Sequence, residues 1–192
     1  MTTTRTTSDD GAYVGEELEL FEFAENWKRY LSSRIRRYIS GNVLEVGAGF
    51  GTNVPYLYHP ALGGYLSLEP DGRLCEGFQS RRAAGRIPSC CEVIQGTLQT
   101  LPRSRAFDSI IYIDVLEHIE DHLAEFQRAH DRLSPGGHLM VLCPAHSFLF
   151  SPFDKSIGHF RRYNKRMFRE LSGKPPLALE YLDCVGMAAS LA

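Results

Sequence analysis

The chain has 192 residues, 43% of them hydrophobic, 11% aromatic and 23% charged, enough apolar material for one domain with a sizeable core and too much for a disordered chain. Lys+Arg of 21 against Asp+Glu of 23 leaves a net charge of −2, without the basic excess that electrostatic capture of nucleic acid needs, so no nucleic-acid partner is expected. Residues 1–15 are polar and Thr-rich and read as a disordered arm, ahead of a single domain over residues 16–192. Across residues 16–40 apolar side chains recur at helical spacing (Leu20, Ala24, Trp27, Leu31, Ile35, Tyr38), until Gly41 and Asn42 stop the helix. Short apolar runs bounded by glycine and polar residues then predict strands at 43–46, 65–68, 93–94, 110–113 and 139–143. Between them, a polar stretch from Pro70 and Asp71 to Gly85 suits a helix. The stripe Ile119, Leu123, Phe126, His130, Leu133 suits another, ended by Ser134-Pro135-Gly136-Gly137. A further strand is expected over residues 179–185. Strand and helix alternating in this way predict an α/β fold, a Rossmann-like and mostly parallel sheet with helices on both faces. No apolar run reaches the roughly 18 residues of a membrane span, and the first residues lack the apolar centre of a signal peptide. Five cysteines at irregular spacing fit no disulfide framework and point to a reduced, cytoplasmic protein.

The most informative segment is Val43-Leu44-Glu45-Val46-Gly47-Ala48-Gly49-Phe50-Gly51-Thr52-Asn53. A strand enters three glycines and then a helix, the arrangement in which a ligand lies almost on the backbone. The dinucleotide fingerprint G-x-G-x-x-G fits poorly, because the third glycine comes one residue early and Thr52 stands in its place. Glu69 ends the second strand 22 residues after Gly47, where an acid can accept hydrogen bonds from both hydroxyls of an adenosine ribose. The plainer reading of Glu69, an acid favoured at a helix N-terminus, can be filled by Asp71 instead.

Four stretches in order carry a resemblance. They are Leu44-Glu45-Val46-Gly47-Ala48-Gly49-Phe50-Gly51; Leu68-Glu69-Pro70; Phe107-Asp108-Ser109-Ile110 leading to Asp114-Val115-Leu116-Glu117-His118-Ile119; and Leu133-Ser134-Pro135-Gly136-Gly137. Over about residues 20–185 the chain resembles the class I S-adenosylmethionine-dependent methyltransferases, and most of all the small-molecule type with Pro144-Ala145-His146 and Gly158-His159-Phe160-Arg161-Arg162-Tyr163. The resemblance implies S-adenosylmethionine as cofactor, held by the core over residues 43–143. Gly47, Ala48, Gly49 and Gly51 would line its methionine part, Glu45 would help hold its ammonium, and Glu69, with Pro70 beside it, would take the ribose. Thr97 and Leu98 would face the adenine, although the family more often has an acid where Thr97 stands. Asp114 and Val115 would border the methyl-donating sulfur. The family sheet has seven strands, and too few residues follow 185 for the seventh. Either the natural product is longer or a second copy covers the open edge as a homodimer.

Methyl transfer from a sulfonium is an in-line displacement in which the cofactor brings the reactivity, so a clear cofactor site and an ambiguous catalytic one are expected. Residues 144–163, long for a connector, read as a substrate loop, followed by a helix and strand over 164–192. His146 and His159 are the candidate catalytic residues. Phe148, Asp154, Arg161, Arg162 and Tyr163 are candidate acceptor contacts, with Arg161 and Arg162 placed to grip a polar or anionic group. Trp27 and Tyr30 of the N-terminal helix could form a lid, Trp27 being equally suited to the core. Lys165, Arg166 and Arg169 suit a solvent face. His118 reads as structural and His122, His130 and His138 as surface residues. No set of His, Cys, Asp and Glu has metal-ligand spacing, so no metal is expected. The reading is a methyltransferase acting on a small molecule such as a glycan, lipid precursor or secondary metabolite. The alternative is a non-catalytic adenosyl-ligand-binding module, or a partner subunit that keeps the fold.

Overall fold

A computed structural model describes residues 24–173 and 177–184. Its elements in chain order are α1 (Glu25–Ile35), a 3-10 turn (Arg36–Tyr38), β1 (Asn42–Val46), α2 (Val54–Leu57), β2 (Gly64–Glu69), α3 (Gly72–Ala83), β3 (Cys91–Gln95) and β4 (Phe107–Ile113). A second 3-10 turn (Leu116–His118), α4 (His122–His130), β5 (Leu133–Leu142), a third 3-10 turn (Ser147–Leu149), α5 (Pro152–Ser156) and α6 (Lys165–Ser172) follow. The five strands form one sheet in the order β3-β2-β1-β4-β5, every pair parallel. The chain winds one way from β1 to β3 and crosses back to β4, so the crevice opens at the carboxyl ends of β1 and β4, where such sheets take ligands.

Alternation along the central strands builds two cores. Val43, Tyr65 and Ile111 pack on one face with Val54, Phe78 and Ile87. Leu44, Val46, Leu66, Leu68, Ile110 and Tyr112 pack on the other with Leu98 and Leu101. Being covered on both faces, β1 and β2 read as nearly unbroken apolar runs. Glu45 and Glu69 are the buried acids in them. Asp71 caps α3, accepting from the Arg73 and Leu74 amides at 2.8 and 3.4 Å, so Glu69 is left for other work.

The structure corrects several expectations. Residues 1–15 lie outside the described residues, and the predicted 16–40 helix is described from Glu25, giving way to the 3-10 turn after Ile35. α4 stops at His130, Leu123 on it is 45% exposed, and Leu133 already starts β5. Ser134-Pro135-Gly136-Gly137 therefore lies inside β5, where the pairing jumps from Phe107↔Leu133 to Ser109↔His138. A proline without an amide proton and two glycines suit a bulge there. Residues 179–184 form no strand, and Val185 is outside the described residues. That segment is held instead by side chains, His138 to Glu180 at 3.6 Å and Arg34 to Tyr181 and Asp183, so it lies by β5 without joining its ladder. Among the described residues no helix is long and apolar enough to cross a membrane, and all five cysteines are free.

Candidate functional site

The glycine loop leaves β1 through three left-handed residues, Gly47, Gly49 and Gly51, with φ of 68°, 55° and 72°. The Gly47 and Ala48 amides both donate to the Leu68 carbonyl, at 2.8 and 3.0 Å, which fixes the turn to the end of β2. A Cβ on Gly51 would fall 2.3 Å from Phe78 and 2.7 Å from Ile87, and one on Gly47 would fall 2.5 Å from Val115. At these two positions close packing demands glycine as strictly as backbone conformation does.

Two carboxyl groups meet this loop. Glu69 is 5% exposed; its Oε2 accepts from the Gly49 amide at 2.8 Å and its Oε1 from the Asp71 amide at 3.0 Å. Burial raises its pKa, against the pull of those two amides. Each of its oxygens keeps a further acceptor site. Glu45 is 1% exposed and accepts from the Tyr65 hydroxyl at 2.9 Å and from Asn53 Nδ2 at 3.4 Å. Burial pushes it up to about 7. A spare-capacity carboxylate at the end of β2 and a desolvated carboxyl below the loop fit a ligand carrying a ribose diol and an ammonium.

The other expected cofactor residues are placed unequally. Pro70 is exposed, with its carbonyl accepting from Gln95 Nε2 at 3.2 Å. Thr97 is exposed at the end of β3, its turn closed by Thr100 Oγ1, which accepts from the Thr97 amide at 3.1 Å. Leu98 is fully buried in the core, and its carbonyl accepts from Arg132 at 3.0 Å. Asp114 follows β4 in a left-handed conformation (φ 53°), with its surface open to the crevice and desolvation pushing its carboxyl up to about 6. Val115 turns back over Gly47.

The loop over residues 144–163 is knitted to the core. Asp154, 1% exposed, accepts from Ser151 N and Oγ and from Arg162 Nε, all at 2.8 Å, and lies 3.1 Å from His159 Nδ1. These donors hold it well below the usual carboxylate range despite its burial. The guanidinium of Arg161 donates to the carbonyls of Ile119 and Glu120. Tyr163, 1% exposed, donates to the Leu116 carbonyl at 3.2 Å and meets His122 Nδ1 at 2.9 Å. Asp154, Arg161, Tyr163 and the Nε of Arg162 thus have partners within the protein, which anchor the segment in which an acceptor contact was expected. His122 joins that network rather than the plain surface. His146, left-handed at φ 65°, and Phe148, 81% exposed, stand on the outside of the loop with ring centroids 5.5 Å apart. Lys165, Arg166 and Arg169 are exposed as expected.

Trp27 is half-buried on α1 and its ring stacks on Tyr30 at 5.9 Å. Tyr30, with Arg34, Met140, Phe168, Tyr181 and Leu182, lines a cavity of ≈ 190 Å³ against β5. That cavity is distinct from the glycine-loop crevice. The residue that sequence reasoning passed over is Glu117, fully buried in the turn after β4 with both carboxylate oxygens unpartnered. Burial and the nearby Asp114 push it up to about 9. Its one signal is an acid inside the apolar stretch Val115-Leu116-Glu117.

Comparison with known proteins agrees with this geometry. The family model described as methyltransferase domain matches residues 23–176. No curated protein matches. Among solved structures, the YcgJ protein of Bacillus subtilis is 18% identical with a TM-score of 0.64, covering 77% of this chain and 67% of its own. Mitomycin 7-O-methyltransferase MmcR is 20% identical with a TM-score of 0.66, covering 88% of this chain and 54% of its own. An S-adenosylmethionine-dependent methyltransferase from Clostridium acetobutylicum ATCC 824 is 14% identical with a TM-score of 0.54, covering 68% and 55%. The chain thus spans between 54% and 67% of the length of these structures. With the glycine loop, Glu69 and the five-stranded parallel sheet in place, the chain belongs to the methyltransferase domain family and has the fold of class I S-adenosylmethionine-dependent methyltransferases.

Proposed function

We propose that this chain transfers the methyl group of S-adenosylmethionine to a small-molecule acceptor with an apolar or aromatic body, and that it does so in the cytoplasm. The observation that carries the cofactor half is Glu69, a buried carboxylate bridging the end of β2 and the Gly49 amide. When bound, the cofactor supplies an electrophilic methyl group on a sulfonium. The chain's own residues bind and orient. Glu69 accepts from the ribose through the acceptor sites its two amide partners leave, Glu45 balances an ammonium, and the left-handed glycines let backbone approach the ligand. Asp114 and Val115 close the crevice at the end of β4.

The acceptor half rests on the loop over residues 144–163. Phe148, Leu149, Phe153 and Phe160 are 81%, 50%, 62% and 49% exposed, a dense apolar display over a loop otherwise anchored by Asp154. Such a display is suited to covering a bound acceptor and excluding water from the displacement. Exposed His146 at its start orients the acceptor or takes its proton. An ionised oxygen acceptor would need no base at all.

Calorimetry with S-adenosylhomocysteine tests the cofactor site. Glu69→Ala should weaken binding by about 2–3 kcal/mol, and Glu69→Gln, which keeps one acceptor, by less. An unchanged affinity in Glu69→Ala would reduce Glu69 to a clamp on the loop. An acceptor panel read by S-adenosylhomocysteine release tests turnover. Phe148→Ala should weaken the acceptor term in kcat/KM by about 1–2 kcal/mol and leave cofactor affinity alone. Loss of cofactor binding in that variant would put the loop in the wrong half of the site.

A further inference from the structure

Spacing along the chain separates residues that the fold brings together where β4 runs out. Glu117 and His118 close the 3-10 turn Leu116–His118, and His159 reaches the same place from the substrate loop. One ligand atom from each of the three lies within 4.8 Å of the others. Glu117 is fully buried, yet neither of its carboxylate oxygens has a hydrogen-bond partner. His159 Nε2 faces Glu117 Oε1 at 4.0 Å, beyond hydrogen-bond reach, and the His118 ring meets the His159 ring edge-on with centroids 4.6 Å apart.

The proton on His159 is fixed from behind. Its Nδ1 lies 3.1 Å from Asp154 Oδ1, and Asp154 also receives Arg162 Nε and two donors from Ser151, as an ionised acceptor does. Nδ1 therefore carries a hydrogen toward Asp154, and Nε2 is the nitrogen turned toward Glu117. Glu117 Oε1 and His159 Nε2 then face each other in a buried space, too far apart to bond, and the carboxyl is left without a hydrogen-bond partner. A carboxylate orienting a histidine whose other nitrogen points into a ligand cluster is the outer-shell arrangement of metal sites. Both arms are tied by backbone, Phe160 N to the Glu117 carbonyl at 2.8 Å and His159 N to the Asp154 carbonyl at 2.9 Å.

We propose that Glu117, His118 and His159 form a site for one divalent transition-metal ion, with Asp154 positioning His159. Two imidazoles and one carboxylate suit manganese, iron, cobalt, nickel or zinc, while magnesium and calcium prefer all-oxygen sets. Three ligands at about 2.1 Å from one ion stand about 3.0–3.6 Å apart, so atoms now within 4.8 Å of one another must close by up to about 1.5 Å, a movement that side-chain rotation supplies. Three protein ligands leave positions open. On the methyltransferase reading, an acceptor hydroxyl taken there would give up its proton to water more readily. That use rests on the reading of function; the binding of the ion does not.

The test is to strip the full chain with EDTA and titrate it separately with Mn²⁺ and Co²⁺, measuring S-adenosylhomocysteine binding alongside. One ion should bind per chain, and bound Co²⁺ should show visible bands of nitrogen and oxygen ligation without a thiolate charge-transfer band. Glu117→Gln, which preserves volume, and His159→Gln should each weaken binding about a hundredfold while circular dichroism stays that of the parent. Absence of binding to the parent chain, a thiolate spectrum, or undiminished affinity in both variants would overturn the site. Since the parent chain alone can give either of the first two results, a variant that fails to fold does not shelter the proposal. A chain that binds S-adenosylhomocysteine but no ion overturns this site alone. A chain that binds the ion but not the nucleoside overturns the functional reading alone.

Discussion

Asp154→Ala should cost about 3 kcal/mol of stability and release the loop over residues 144–163. Asp154 is 1% exposed and accepts from Ser151 N and Oγ and from Arg162 Nε, all at 2.8 Å. The oxygen that takes Arg162, Oδ1, also orients His159, and with Ser151 the carboxylate completes the capping box of α5. Alanine would leave the guanidinium of Arg162, whose side chain is 25% exposed, and the Ser151 amide without their acceptor. The loss of a buried partner, rather than the modest worth of the pair itself, sets the size of the effect. Asp154→Asn keeps the shape and the Ser151 bonds but removes the charge, so it should fall between alanine and the parent. Urea unfolding measures the stability, and limited proteolysis within residues 144–163 measures the loop. A loss under about 1 kcal/mol, with the loop still resistant, would mean the network is an ornament of a loop held by its apolar contacts.

The strands and the glycine loop were legible in the sequence because their signals are local. Val43 to Val46, Tyr65 to Leu68 and Ile110 to Ile113 are apolar runs that only a twice-covered strand explains, and the structure holds all of them in β1, β2 and β4. The early third glycine, Gly51, is required by contacts with Phe78 and Ile87, residues no local pattern connects to it. The loop over residues 144–163 was less legible for the complementary reason. Arg161 and Arg162 look like free cations until the fold supplies the Ile119 and Glu120 carbonyls and Asp154. Glu117 and His159 look unrelated until the loop over residues 144–163 folds back over the end of β4. Residues 179–184 carry strand-like composition, but a strand exists only through a partner ladder, and side-chain contacts claim the segment instead.

Glu45 should give the free protein and its complex opposite responses to pH. In the folded chain its carboxyl is 1% exposed, and burial lifts it from 4.5 to about 7. The Tyr65 hydroxyl on β2 and Asn53 in the glycine loop pull it down, and the charge of Glu69 at the end of β2 pushes it up. Between these two values the folded protein keeps a proton that the unfolded chain has already released. Stability must therefore fall as pH rises through that window, by about 3 kcal/mol at most, and stay level above it. Glu69, Asp114 and Glu117 titrate as well, so the quantity to measure is the difference between the parent chain and Glu45→Gln in urea at about pH 5 and about pH 8. The variant should gain on the parent as pH rises. A constant difference would place the Glu45 titration elsewhere. Ligand binding reverses the sign. An ammonium set against Glu45 favours the carboxylate, so binding must expel the proton wherever the free protein holds it. Affinity for S-adenosylhomocysteine should rise by about tenfold from about pH 5.5 to about pH 7.5, and lose most of that slope in Glu45→Gln. An equal slope in the variant would show that the carboxyl under the glycine loop does not meet the ligand's charge, and that Glu45 serves only Tyr65 and Asn53.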